Sequence, residues 1–114
     1  MSVQERDASI LRHIISYCEQ IQMAITHFGD DYALFESDPV FRNAVALCIL
    51  QIGELVGILS DEFRSAHPGI PWRQIKQMRN IVAHKYGSFD ASITWDVVQN
   101  DIPNLQAFCT DVLK

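Results

Sequence analysis

The sequence predicts an all-α protein: an antiparallel up-and-down bundle of four to five helices, the last one kinked or split. Three observations lead there. Apolar residues recur at three- and four-residue steps along most of the chain, no segment alternates with the two-residue period of a half-buried strand, and capping residues with Pro or Gly punctuate the segments at short intervals. With 114 residues, the chain is expected to form one domain, 1–114.

The first helix is predicted over 4–28. Ile10, Leu11, Ile14, Ile15, Cys18, Ile21, Ile25 and Phe28 form one apolar stripe, and Gly29 followed by Asp30 and Asp31 ends it. No element is predicted from there to Asp38-Pro39, which reads as an N-cap followed by proline at the first helical position. The second helix then runs to about 59. Ala44, Val45, Leu47, Cys48, Ile52, Leu55, Val56 and Leu59 cover much of its circumference, so it is expected to be the most buried helix. Gly53 and Gly57, four apart, predict a close helix–helix approach, at a propensity cost of about 1 kcal/mol each. Ser60-Asp61-Glu62 caps a short helix that stops before Pro68-Gly69. Pro71 opens the next one, with Trp72, Ile75, Met78, Ile81 and Val82 as its apolar positions, ending near Tyr86-Gly87. Ser88, Asp90 or Ser92 caps the final segment. Pro103 lies inside it, which predicts a kink or split with Asn100 or Asp101 as a second cap.

Nine Lys+Arg against fourteen Asp+Glu give a formal net charge of −5, a balance unlike that of a general nucleic-acid binder. The average conceals an asymmetry. Residues 63–89 contain no Asp or Glu but hold Arg64, Arg73, Lys76, Arg79 and Lys85, a local +5 that leaves −10 for the rest. A phosphate-bearing partner would be drawn to this stretch and repelled elsewhere. The three cysteines, Cys18, Cys48 and Cys109, are odd in number, lie among apolar residues and form no CxxC pair. They read as reduced, buried thiols of a cytoplasmic protein rather than as a metal or redox site. The N-terminus lacks the features of a signal peptide, and the longest apolar run, 44–50, is too short to span a bilayer, so no membrane partner is expected.

One constellation in the basic stretch has reactive chemistry. Asn80 and His84 are four apart and share a helix face, whereas Arg79 and His84 are five apart, roughly 140° around the axis. A straight helix would not aim both at one small substrate. They converge if the helix bends or frays, or if a second copy faces the first, which suggests a composite site across a symmetric dimer. The residue types suit phosphodiester cleavage in RNA. Histidine serves as acid and base near neutrality, and arginine holds two phosphate oxygens at once. The ribose 2′-OH supplies the nucleophile, so neither metal nor cofactor is expected. Glu54 is the only charged residue from 44 to 60, and a carboxylate alone on so apolar a helix is expected to pair with or orient Arg79. Arg73 and Lys76 fall on the exposed side of the same helix as Arg79, where they could bind RNA phosphate. His13, His27 and His67 lack metal-ligand spacing, and Trp72 and Trp95 read as core or interface anchors.

The order Arg-x-x-x-x-His-x-Tyr, present as Arg79, His84 and Tyr86, resembles the signature of the HepT-like toxins of the HEPN superfamily. The likeness covers almost the whole chain. Ile52-Gly53-Glu54-Leu55 is similar to the Gly-Glu of the family's second helix. Ile70-Pro71-Trp72-Arg73-Gln74-Ile75 with Met78-Arg79-Asn80 resembles the approach to its active helix, and Trp95-Asp96-Val97-Val98 with Asn100-Asp101-Ile102-Pro103-Asn104-Leu105 its C-terminal pattern. The resemblance implies a homodimeric, metal-independent endoribonuclease toxin. Its sites would be Arg79, His84, Asn80 and Tyr86, and its partner a nucleotidyltransferase-fold antitoxin that adds AMP to Tyr86. Where the family often has a small or acidic residue between His and Tyr, this chain has Lys85, expected to aid RNA binding; Gly87-Ser88-Phe89 replaces the family's aromatic soon after the tyrosine. Two other readings compete: a non-catalytic nucleotide- or substrate-binding helical subunit of a nucleotidyltransferase complex, and a structural dimerisation protein.

Overall fold

The structure, a computed structural model, describes residues 3–83 and 90–114, and within them every regular element is helical. Helix α1 spans Glu5–Phe28, α2 Tyr32–Ser37, α3 Pro39–Ile58, α4 Asp61–Ala66, α5 Trp72–Ala83, α6 Ala91–Asp96 and α7 Ile102–Val112, with one π-helical turn, Val97–Asp101, joining the last two. Helix α3 packs between α1 and α5, and α7 closes against α1. The body measures 45 × 27 × 20 Å.

The predicted punctuation acts as expected at most joints. Gly29 leaves α1 at φ 121°, a conformation open to glycine, while its N–H still reaches the Ile25 carbonyl at 2.8 Å. The Asp38 carboxylate accepts from the Val40 and Phe41 amides at 2.9 and 3.3 Å, with Pro39 at the first helical position. The bundle exceeds the predicted four to five helices because short pieces fill the connections. Helix α2 was not foreseen: Asp31 caps it by accepting from the Ala33 amide at 2.8 Å. It inserts Phe35, fully buried, against Phe41 and Trp95 at ring-centroid distances of 5.1 and 5.0 Å.

The final segment departs from expectation. Asp90 caps it, accepting from the Ile93 amide at 3.0 Å. Neither Asn100 nor Asp101 forms the predicted second cap: Asn100 donates back to the Asp96 carbonyl and carboxylate, and the Asp101 side chain makes no cap bond. The chain accommodates Pro103 by widening into the π turn instead of breaking, with the Ile102 amide bonded to the Val97 carbonyl five residues back. Proline supplies no N–H and crowds the carbonyl four residues before it, and the wider turn relieves both.

The core runs through Leu11, Ile14, Phe35, Phe41, Ile52 and Val56, each fully buried. Cys18, Cys48 and Cys109 are buried and free. Burial pushes the Cys18 and Cys109 thiols up to about 12, neighbouring Cys109 and Cys48 adding to the effect on Cys18, and it raises Cys48 as well. All three are therefore neutral near pH 7. The unfolded chain loses these protons first, so stability falls as pH rises from about 9 toward 12.

A buried carboxylate ties the ends of two helices together. Asp7, 2% exposed, accepts from the Ser60 amide at 2.9 Å and from its hydroxyl at 2.7 Å. That same hydroxyl accepts from the Phe63 amide at 3.0 Å, so Ser60 caps α4 while anchoring α1. Asp7→Ala leaves the partly buried Ser60 amide and hydroxyl without their acceptor and is expected to cost about 2–3 kcal/mol. Thermal denaturation should then show a Tm drop of about 10 °C; a drop below ~2 °C would show that the clamp contributes little to stability.

Helix α3 is less enclosed than its composition suggests. Leu47, expected in the core, is 56% exposed, and Val40 and Ile58 are 63% and 50% exposed. Packing on α1 and α5 covers two sides of the helix, and these three residues fall together on the third. By length and composition alone α3 could cross a bilayer, with a mean hydropathy of 1.5 over its best window. Core helices of water-soluble folds meet the same criterion.

Candidate functional site

Helix α5 starts after Pro71, with the Trp72 amide bonded to the Ile70 carbonyl at 2.8 Å and the Trp72 indole donating to the His67 carbonyl at 3.0 Å. Ile75 and Met78 are buried and fix its rotation. That rotation turns Arg73, Lys76, Gln77 and Asn80, at i, i+3, i+4 and i+7, to the exposed side, and leaves Arg79 half-buried toward α3.

The contact with α3 is made at Gly53. A Cβ there would lie 2.9 Å from the Arg79 Cβ and 3.4 Å from the Lys76 carbonyl, so only glycine lets the backbones approach this closely. One turn on, a Cβ at Gly57 would meet the Lys76 Cε at 3.4 Å. The two glycines thus set the separation of α3 and α5 and let the Lys76 stem lie across α3.

This separation brings Arg79 to Glu54. The Arg79 Nε forms an ion pair with the Glu54 Oε1, the two side chains being 43% and 57% exposed. At that exposure the pair contributes little to stability, roughly 0–1 kcal/mol. Its effect is directional: with Nε engaged, the outer edge of the guanidinium is left to bind an anion. The lone carboxylate of α3 is therefore both solvent-facing and paired with Arg79.

Beside the ion pair lies a groove of about 600 Å³ between α3 and α5, floored by Gly53 and Gly57 and walled by Arg73, Lys76, Gln77 and Asn80. Among the described residues neither Arg73 nor Lys76 takes part in an ion pair. Arg73, Lys76, Arg79 and Asn80 thus stand together with Glu54, whereas His84, Lys85 and Tyr86 lie outside the described residues. Gln77 was not singled out in the sequence. The signal was its place at i+4 from Arg73 on the same face as Asn80.

Among the described residues, Trp72, Trp95, His67, His27 and His13 are each engaged by neighbours. Trp72 packs with Phe63 and Phe108 at 6.0 and 5.6 Å, and Trp95 with Phe35 and Phe41. His67 is sandwiched by Phe63 and Phe108, His27 meets Phe28 edge-on, and the His13 ring bonds the Ser9 carbonyl. Among the described residues no group of three or more His, Cys, Asp or Glu side chains could hold a metal ion.

The described residues thus form an all-α bundle with an arginine, ion-paired to Glu54, beside a cationic groove. The chain belongs to the ribonuclease HepT-like family, whose model matches residues 11–112. It is 32% identical over 104 residues to "Putative RNase TTE0752" of Caldanaerobacter subterraneus subsp. tengcongensis, covering 91% of each chain. It is 33% identical to "Putative RNase MJ1380" of Methanocaldococcus jannaschii, over 67% of this chain and 70% of that one. It is 35% identical to "Probable ribonuclease HepT" of Thermococcus cleftensis, over 63% of this chain and 66% of that one. No solved structure matches the chain at a significant level.

Proposed function

We propose that the protein is a metal-independent endoribonuclease toxin, acting as a homodimer and restrained by a nucleotidyltransferase-fold antitoxin. The observation that carries this reading is Arg79, held by Glu54 at the mouth of a cationic groove, in a chain of the HepT-like ribonuclease family. In the proposed reaction Arg79 binds the non-bridging oxygens of the scissile phosphate and offsets the charge that grows there. His84 takes the 2′-OH proton as that oxygen attacks phosphorus. The bond to the 5′-oxygen breaks, and the leaving oxygen receives a proton from the second histidine of the dimer or from water. The products are a 2′,3′-cyclic phosphate and a 5′-OH. Asn80 orients the phosphate or the imidazole, and Arg73, Lys76 and Lys85 hold the RNA.

The exposed apolar stripe of Val40, Leu47 and Ile58 supports the dimer. It flanks Glu54 on α3, so a copy seated there would bring two Arg79 side chains toward one axis. In the proposed regulation the Tyr86 hydroxyl attacks the α-phosphorus of ATP, pyrophosphate leaves, and Tyr86 retains AMP. The added phosphate and bulk then occupy the place of RNA near Arg79.

Protein whose intact mass shows Tyr86 unmodified is expected to cut single-stranded RNA in EDTA. The same protein made with the antitoxin should gain mass in steps of one AMP at Tyr86 and lose that activity. Varied RNAs left intact by the unmodified protein would overturn the enzyme reading and favour a non-catalytic binding subunit.

A further inference from the structure

We infer that the α3–α5 groove is a track for the phosphates flanking the scissile one, so that the protein selects an extended single strand over a minimal dinucleotide. This rests on the ribonuclease reading for the direction of the strand and adds a subsite that adjoins the reacting centre at Arg79 and Asn80. The groove is long enough: six residues of α5 separate Arg73 from Arg79, about 9 Å of helix rise. An extended strand spaces its phosphates more widely than the ~3.4 Å rise of a helical one, so the groove, with the reach of its long side chains, spans about two phosphates.

Its walls carry matching chemistry. Arg73 and Lys76 supply charge at three-residue spacing, and Gln77 and Asn80 supply amide donors on the same face. Gly53 and Gly57 add no side chain to the floor, which leaves room for the Lys76 stem to lie across it. Glu54, the one carboxylate of the groove, is engaged by Arg79 at its end. Among the described residues its walls carry no aromatic platform, the makeup of a channel that reads backbone and not base. The track therefore contributes affinity and strand length dependence, with little sequence preference.

The test compares a ribodinucleotide with a twelve-residue RNA containing the same step, using the full chain and an Arg73→Gln/Lys76→Gln double variant. The wild type is expected to favour the longer RNA in kcat/KM. The double variant should lose at least tenfold of that preference, chiefly through KM, with a much smaller change on the dinucleotide. Binding of an uncleavable 2′-O-methyl twelve-mer, followed by fluorescence anisotropy, should weaken in parallel. Its log–log salt slope should fall by about 1.4, the value for two lost single-strand phosphate contacts. Gly57→Met, which fills the groove without changing charge, should also weaken twelve-mer binding. A wild type that cuts RNA while the double variant keeps its length preference and salt slope would overturn the track alone. A wild type that binds the twelve-mer in this groove but cuts nothing would overturn the ribonuclease reading alone.

Discussion

Arg79→Ala is expected to lower kcat on RNA by about 10²–10³-fold, with a smaller effect on KM. The argument starts from the Gly53 contact, which brings α5 close enough for Glu54 to hold Arg79 by its Nε. A guanidinium oriented before substrate arrives needs no reorganisation as charge develops on the phosphoryl oxygens, so its loss falls on the transition state more than on the bound substrate. Arg79→Lys should recover only part of the activity, because an ammonium cannot bind Glu54 and two phosphate oxygens in one plane. Glu54→Gln keeps the shape but loses the charged partner and is expected to cost about tenfold in kcat, since small misplacements of a clamp are costly. His84→Ala, removing the proposed acid/base, should cost about 10²–10⁴-fold. Single-turnover cleavage separates these effects from RNA binding. Arg79→Ala protein that cuts at the wild-type rate would remove the clamp from the account.

The second large effect is on assembly. Leu47 is 56% exposed in the middle of the apolar stripe of α3. In one copy, Leu47→Glu therefore disturbs little of the core. Across a two-fold axis on this face, each glutamate would be buried beside an apolar surface and near its own symmetry mate, a cost of about 3–5 kcal/mol. That raises the dimer Kd by about 10²–10⁴-fold. Sedimentation at micromolar concentration is expected to give twice the 13.0 kDa chain mass for the wild type and the single-chain mass for Leu47→Glu. Cleavage should fall with the dimer while the helical circular dichroism is retained. A wild type that sediments as a single chain, or a Leu47→Glu dimer that remains intact, would overturn this interface.

Local signals were legible in the sequence because their causes are local. Asp38-Pro39, Gly29 and Ser60 each act on amides within a few residues, and each functions as its type predicts. Gly53 and Gly57 were legible as a close approach, although the sequence alone did not name Arg79 and Lys76 as what approaches. The Asp7 clamp was not legible. A carboxylate in a first turn already suits the helix dipole, and its true partner is 53 residues away. The open side of α3 was hidden for a different reason. Apolar residues nearly encircle the helix, and periodicity cannot say which of them face a second copy instead of the core. The π turn was hidden because proline predicts a disturbance but not its form. In the site, Glu54 stood out as the lone carboxylate on an apolar helix, and its pairing with Arg79 follows from the glycine contact.

The central claim is that the ribose 2′-oxygen is the nucleophile and that the protein's own side chains suffice to activate it. A DNA oligonucleotide carrying a single ribose tests it most directly, incubated in EDTA with protein verified as unmodified at Tyr86. The account predicts one cut, on the 3′ side of the ribose, giving a 2′,3′-cyclic phosphate and a 5′-OH by mass spectrometry, and no cut in the all-DNA control. Cleavage of the all-DNA control, or a linear 5′-phosphate product from the single-ribose substrate, would contradict it.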